Sequence, residues 1–158
     1  MKVRGSLLGL LGVLSLVAAY ELAAQPQAAN RFAVIDVYVD SVEPLAAWQF
    51  ELTEQDGRMQ VVGIEGGESA SYAEPPFYDR DAVASGAADR IIVADFSLRE
   101  PAQLPVGRTR VASVHVRLAG DQSPAYQLRL VAAGAADGRS IDAEISLDTR
   151  GLGTEAGR

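Results

Sequence analysis

The chain has 158 residues and a formal charge of −7, from 14 basic and 21 acidic side chains. That length suits one domain; so acidic a surface repels phosphate backbones, which argues against nucleic acid as a partner, and it gives no polybasic handle for anionic lipid. It contains no cysteine, so thiol catalysis, disulfides and cysteine-ligated metals are excluded.

The first 24 residues are set apart from the rest. Lys2 and Arg4 form a basic start, Gly5 to Tyr20 is an uncharged apolar run, and Glu21 ends it. This is the pattern of a secretory signal peptide, with Leu22-Ala23-Ala24 as the cleavage candidate. An uncleaved anchor over residues 5–20 is the alternative, although the run is short of the ~20 residues that normally span a bilayer. Either way the domain is expected outside the cytoplasm: periplasmic, in the cell envelope or extracellular. The membrane is expected as a partner only through such an anchor. Lys2 is the only lysine, so the cations beyond the leader are all arginines. Residues 25–30 read as an alanine-rich linker.

From Arg31 onward the chain reads as strands. Arg31 to Asp40 is the first, apolar on both faces and so central. Trp48, Phe50 and Leu52 alternate with Gln49, Glu51 and Thr53 in the second. Asp56-Gly57 turns the chain into the third, Met59 to Glu65. Gly63 is the one glycine inside a strand, the mark of a bulge.

Glu68 to Arg90 has no sustained period and is long for a loop in a compact domain. Such a segment is functional or carries short structure of its own. Ile91 to Leu98 is the fourth strand, read with Ile92, Ala94, Phe96 and Leu98 on one face. Thr109 to Leu118 is the fifth, with Ala112, Val114, Val116 and Leu118 inward and Val111, Ser113, His115 and Arg117 outward. Tyr126 to Val131 is the sixth, and a strand from Ile141 to Asp148 is the seventh. Residues 149–158 read as a flexible tail.

Seven alternating strands with turn signals between them, and no convincing amphipathic helix beyond the leader, predict an all-β fold: one antiparallel β-sandwich over residues 31–148. Its expected core is Trp48, Phe50, Leu52, Phe96, Val114, Val116, Leu128, Leu130, Ile141 and Ile145.

Three segments resemble a cohesin-type jelly-roll sandwich, the fold shared with many carbohydrate-binding modules. They are Val34–Val39; Leu45–Leu52 followed by Val61–Gly67; and Gly107–Val116. The resemblance covers residues 34–116 and rests on structural motifs. Where the family has Tyr-Asp-Pro after the second strand, this chain has Thr53-Glu54-Gln55, and the Glu68–Arg90 insert has no counterpart. The resemblance therefore implies the fold and carries over no functional residue.

Chemistry-bearing groups are sparse. Ser113 and His115 share a strand face, but neighbours on one face sit ~7 Å apart. No nucleophile elbow surrounds Ser113, so His115 reads as a surface residue. Asp79 and Asp81 could begin a calcium loop, yet Val83, Ala84 and Arg90 stand where further oxygen ligands and a glycine are needed. A solvated turn is the competing reading, and no cofactor is expected.

Tyr72, Phe77 and Tyr78, beside Pro75-Pro76 and Arg80, form the best binding candidate, because exposed aromatics stack on sugars or anchor proteins. The competing reading is that these rings fold back and plug one end of the sandwich. The expected function is a non-catalytic module that binds a protein or a polysaccharide at the cell envelope. The alternatives are a structural envelope domain without a ligand and a small glycoside hydrolase using paired carboxylates.

Overall fold

The computed structural model describes residues 30–86 and 88–151. The expected leader, most of the linker and most of the tail lie outside these residues. Seven strands form two antiparallel sheets: β1 (Asn30–Ser41), β2 (Ala47–Glu54), β3 (Met59–Gly66), β4 (Arg90–Phe96), β5 (Gly107–Ala119), β6 (Tyr126–Gly134) and β7 (Ala143–Arg150). The larger sheet has the order β3-β5-β1-β7 and the smaller β4-β2-β6. The protein is an all-β sandwich, as the alternation predicted. β1 already starts at the expected linker residue Asn30, and β7 runs through Thr149 and Arg150, which the sequence reading had placed in the tail.

The core lies between the sheets. Ile35, Val37 and Val39 of β1 and Val114, Val116 and Leu118 of β5 are fully buried there, with Trp48, Phe50 and Leu52 of β2. Trp48 and Phe50, two residues apart on one face, stack with centroids 5.6 Å apart and planes 11° from parallel. Apolar burial at this density is the main stabilising term of such a domain.

Three bulges change which residues face inward. On β3, Val61 pairs with Val116 and Gly63 with His115, so Val62 is the extra residue and is exposed. The bulge therefore falls at Gly63, where the sequence placed it. On β5, Val37 pairs with Ala112 and Tyr38 with Arg110, so Val111 is extra. Val111 was expected outside; the bulge shifts the alternation and buries it completely. A third bulge makes Val131 the extra residue on β6.

Other core expectations need correction. Phe96 is 54% exposed. β4 was apolar on both faces, so its pattern could not choose one. Pairing chooses: Phe50, which points inward, lies opposite Val93, so Ile91 and Val93 enter the core and Ile92 and Phe96 face out. Leu128, Leu130 and Ile145 pack against the core but are only half-buried, because β6 and β7 are edge strands. Ile141 is buried but precedes β7.

At the β2–β3 turn, Gly57 takes φ +66°. The buried Glu54 carboxylate organises this turn. Its Oε2 accepts from the Asp56 and Arg58 amides at 3.2 and 2.8 Å, and its Oε1 accepts from the Ala125 amide at 3.3 Å.

Trp48→Ala should cost roughly 3–5 kcal/mol, because the cavity it leaves is walled by two stiff sheets. Urea unfolding of the two proteins measures this; unchanged midpoints would remove Trp48 from the core.

Candidate functional site

The Glu68–Arg90 insert is structured. Just before it, the chain turns tightly at Gly66-Gly67: a Cβ on Gly67 would lie 2.2 Å from the Arg110 carbonyl oxygen, so only glycine fits. The Gly67 amide donates to the Tyr72 carbonyl at 2.6 Å, closing the turn. Tyr72 then points into the sandwich. It is 1% exposed, sets its ring edge-on to Trp48 at 5.9 Å, and donates its hydroxyl to the Leu45 carbonyl. Burial pushes the Tyr72 hydroxyl pKa far up, and the nearby Asp95 carboxylate adds to this. Tyr72 is thus a plug, which corrects its placement among the ligand-contacting rings.

Pro75-Pro76 carries the chain out again. Phe77 and Ala94 of β4 exchange two backbone hydrogen bonds, of 2.8 and 3.0 Å, so the insert adds one bridge to the edge of the smaller sheet. Phe77 is 64% exposed and lies parallel to Phe96, with centroids 5.9 Å apart and planes 3° from parallel. Tyr78 packs partly against the core, and the Arg80 guanidinium lies 5.6 Å from its ring centroid.

A short helix, α1 (Arg80–Ser85), follows; it is short structure of the insert's own, one of the two expectations for so long a segment. Asp79 caps it, accepting from the Ala82 amide at 2.9 Å, and Asp81 lies in its first turn. Both positions suit carboxylates at a helix start. Among the described residues, no group of three acidic or histidine side chains joins them around a common point.

The insert therefore separates the candidate residues. Tyr72 goes inside, Tyr78 and Arg80 go to the flank, and Phe77 goes to the outer face of the smaller sheet. There Phe77 meets Phe96 at the wall of a groove of about 410 Å³. Small residues of all three strands, Ala47, Ala94, Ala132 and Gly134, form its floor, and Gln49 and Ser140 supply polar groups; Asp95, opposite Trp48, turns toward the core side. Burial raises the Asp95 pKa, against the effect of the Phe96 amide that donates to it. Trp48 also lines this groove, and its buried Nε1 has no acceptor among the described residues.

Beyond the groove, Glu51 joins Arg90 on β4 and Arg129 on β6 across the face. The hydrogen bonds from Arg90 and then Arg129 hold the Glu51 pKa below the usual carboxylate range. Sequence reasoning missed Phe96 and the groove because they depend on which face of β4 turns out. The run of alanines at corresponding strand positions was the available signal.

The Ser113–His115 pair is split by partners. Ser113 is buried and donates to Asp36 Oδ1 at 2.6 Å, while Arg110 donates to the Ser113 hydroxyl at 2.7 Å. Arg150 closes over Asp36 with two bonds of 2.5 and 2.9 Å. His115 Nε2 lies 3.2 Å from Glu65 instead. Ser113 is buried, so its hydroxyl is not an accessible nucleophile; the network clasps the end of β7 to β1. Burial alone would raise the Asp36 pKa, but the Arg150 and Ser113 bonds outweigh it and hold it below the ordinary value.

Compared with known proteins, the chain matches no family model, and no curated protein or solved structure matches it.

Tyr72→Ala should destabilise the domain by about 3–5 kcal/mol, whereas Phe77→Ala should change its stability by less than ~0.5 kcal/mol. Thermal melts of both variants separate the plug from the exposed ring. A depressed carboxylate pKa stabilises the fold above the unfolded value and ceases to do so as pH falls through the folded one. The Asp36 value is lowered, so Asp36→Asn should cost on the order of 2 kcal/mol at pH 7 and little at an acid pH below the folded value. Urea titrations at both pH values measure it; an equal deficit at both would contradict the clasp.

Proposed function

We propose that the chain is an exported, non-catalytic β-sandwich module that binds a glycan at the cell envelope through the outer face of its smaller sheet. One observation carries this reading: two large rings, Phe77 and Phe96, stand exposed and parallel at the wall of a shallow groove floored by small residues. Exposing two phenylalanines costs hydrophobic free energy that burial would have recovered. A sugar ring suits such a wall, because its C–H face stacks on aromatic carbon while its hydroxyls reach polar groups at the edges. Gln49 and Ser140 lie within that groove, and the Arg90–Glu51–Arg129 row borders it.

The resemblance to cohesin-type sandwiches and carbohydrate-binding modules supports the reading in outline, and the basic, apolar start of the sequence supports export. Glycoside hydrolysis would need two carboxyl groups facing one another across a cleft. Among the described residues that line the groove, Asp95 is the one carboxylate, and it turns toward the core side.

A glycan array followed by calorimetry tests the proposal. The protein should bind at least one polysaccharide class with weak, salt-insensitive affinity, since stacking carries no net charge. The Phe77→Ala, Phe96→Ala double variant should lose that binding while keeping its melting temperature. Retained binding in the folded double variant would move the site elsewhere. Binding to an envelope protein in place of any glycan would assign the same face to a protein partner.

A further inference from the structure

The four sheet edges are not protected alike. β3 is covered where the Val61 amide donates to the Ala88 carbonyl at 2.8 Å, next to α1. β4 is covered by the Phe77–Ala94 bridge. β6 carries the Val131 bulge, and its end is tied back through the Ile141 amide to the Ala133 carbonyl. Among the described residues β7 has no covering segment and no bulge; its charges, Glu144, Asp148 and Arg150, all lie on the outer face. It runs eight residues without glycine or proline, and among the described residues it pairs only with β1. Its inward residues, Ala143, Ile145, Leu147 and Thr149, are uncharged and half-exposed. A long, regular edge of this kind is a template for another strand, unless charges, proline or a bulge blunt it.

Charge selects the occupant. Glu144 lies opposite Asp40 of β1 and has no cationic partner among the described residues. Like charges directly opposite one another destabilise a ladder. The geometry points to a second copy of this chain: β7 pairs antiparallel with β7 of another molecule about a two-fold axis at Leu147. In that register Leu147 meets the partner subunit's Leu147, and Glu144 meets the partner subunit's Arg150. Moving the axis by one residue sets Glu144 against Asp148 in one direction, and Asp148 against itself in the other. Only the Leu147-centred register of these three brings opposite charges together without repulsion. The contact is isologous and self-closing, so it yields a dimer and no fibre. It joins the two larger sheets into one of eight strands and leaves both smaller sheets' outer faces free.

Crosslinking tests the register, because the chain has no cysteine of its own. In the full chain, Leu147→Cys places two thiols directly opposite one another, close to disulfide geometry. Oxidation should convert most of it to a disulfide-linked dimer. Thr149→Cys, which would face Ile145, should stay uncrosslinked. Sedimentation of the cysteine-free protein should show a reversible dimer that Glu144→Arg weakens about tenfold, the equivalent of ~1.4 kcal/mol. Equal crosslinking of both cysteine variants would mean association through another surface and would overturn the proposal. A monomer at every concentration would overturn it too. So would slowly exchanging β7 amides in such a monomer, which would place another segment of the same chain on this edge.

Discussion

Tyr72 is the fixed point around which the insert and the outer face of the smaller sheet are arranged. Its ring fills the space beside Trp48, and its hydroxyl reaches the Leu45 carbonyl at the entry to β2. A buried phenol is costly unless its hydroxyl is paired, so that one bond makes the burial possible. With Tyr72 held inside, the chain reverses through Pro75-Pro76 and runs along β4, where Phe77 and Ala94 pair. Phe77 is then left outside, beside Phe96. One aromatic residue of the insert goes into the core and in doing so holds another on the surface.

The same segment also closes one side of the sandwich. α1 and Ala88 lie along β3, and Phe77 lies along β4, so the insert covers the two edges on that side. The opposite side, between β6 and β7, has no comparable cover among the described residues. The half-buried state of Leu128, Leu130, Ile145 and Leu147 is the direct consequence. The sandwich thus has a protected flank, an open flank and an aromatic outer face. The glycan-binding reading and the self-pairing inference use different parts of it, and neither requires the other. If both hold, a dimer would present two binding faces, and linked sites raise the effective affinity for a repeating polymer.

Much of this fold was legible in the alternation of residues. β1, β2 and β5 were placed to within a residue or two, because each sets bulky β-branched or aromatic residues against polar ones. Trp48, Phe50 and Leu52 could be assigned to the core from their spacing alone. What the alternation could not decide was the facing of β4, where Ile91, Ile92, Val93 and Phe96 are apolar on both sides. Cross-strand pairing to Phe50 settles that, and pairing is a long-range property. Val111 was misplaced for a related reason: a bulge changes the face without any glycine to mark it. The candidate site was half legible. The aromatic insert drew attention, but its three rings went to three different environments, and the missing member, Phe96, had been counted as core. Asp36 gave no sequence signal, since its serine and arginine partners come from distant segments; Glu54 gave none because its role needs the Asp56 and Arg58 amides of its own turn and the distant Ala125 amide brought to one carboxylate.

The arrangement depends most directly on whether the insert is pinned along β4 in solution. Native-state hydrogen exchange of the Phe77 and Ala94 amides measures this residue by residue. If Tyr72 holds the insert as described, both amides should exchange as slowly as their neighbours in the β2–β4 ladder and open only with the whole domain. Exchange of the Phe77 amide at the rate of an unstructured loop would contradict the account. It would leave the aromatic pair without the scaffold that holds it parallel.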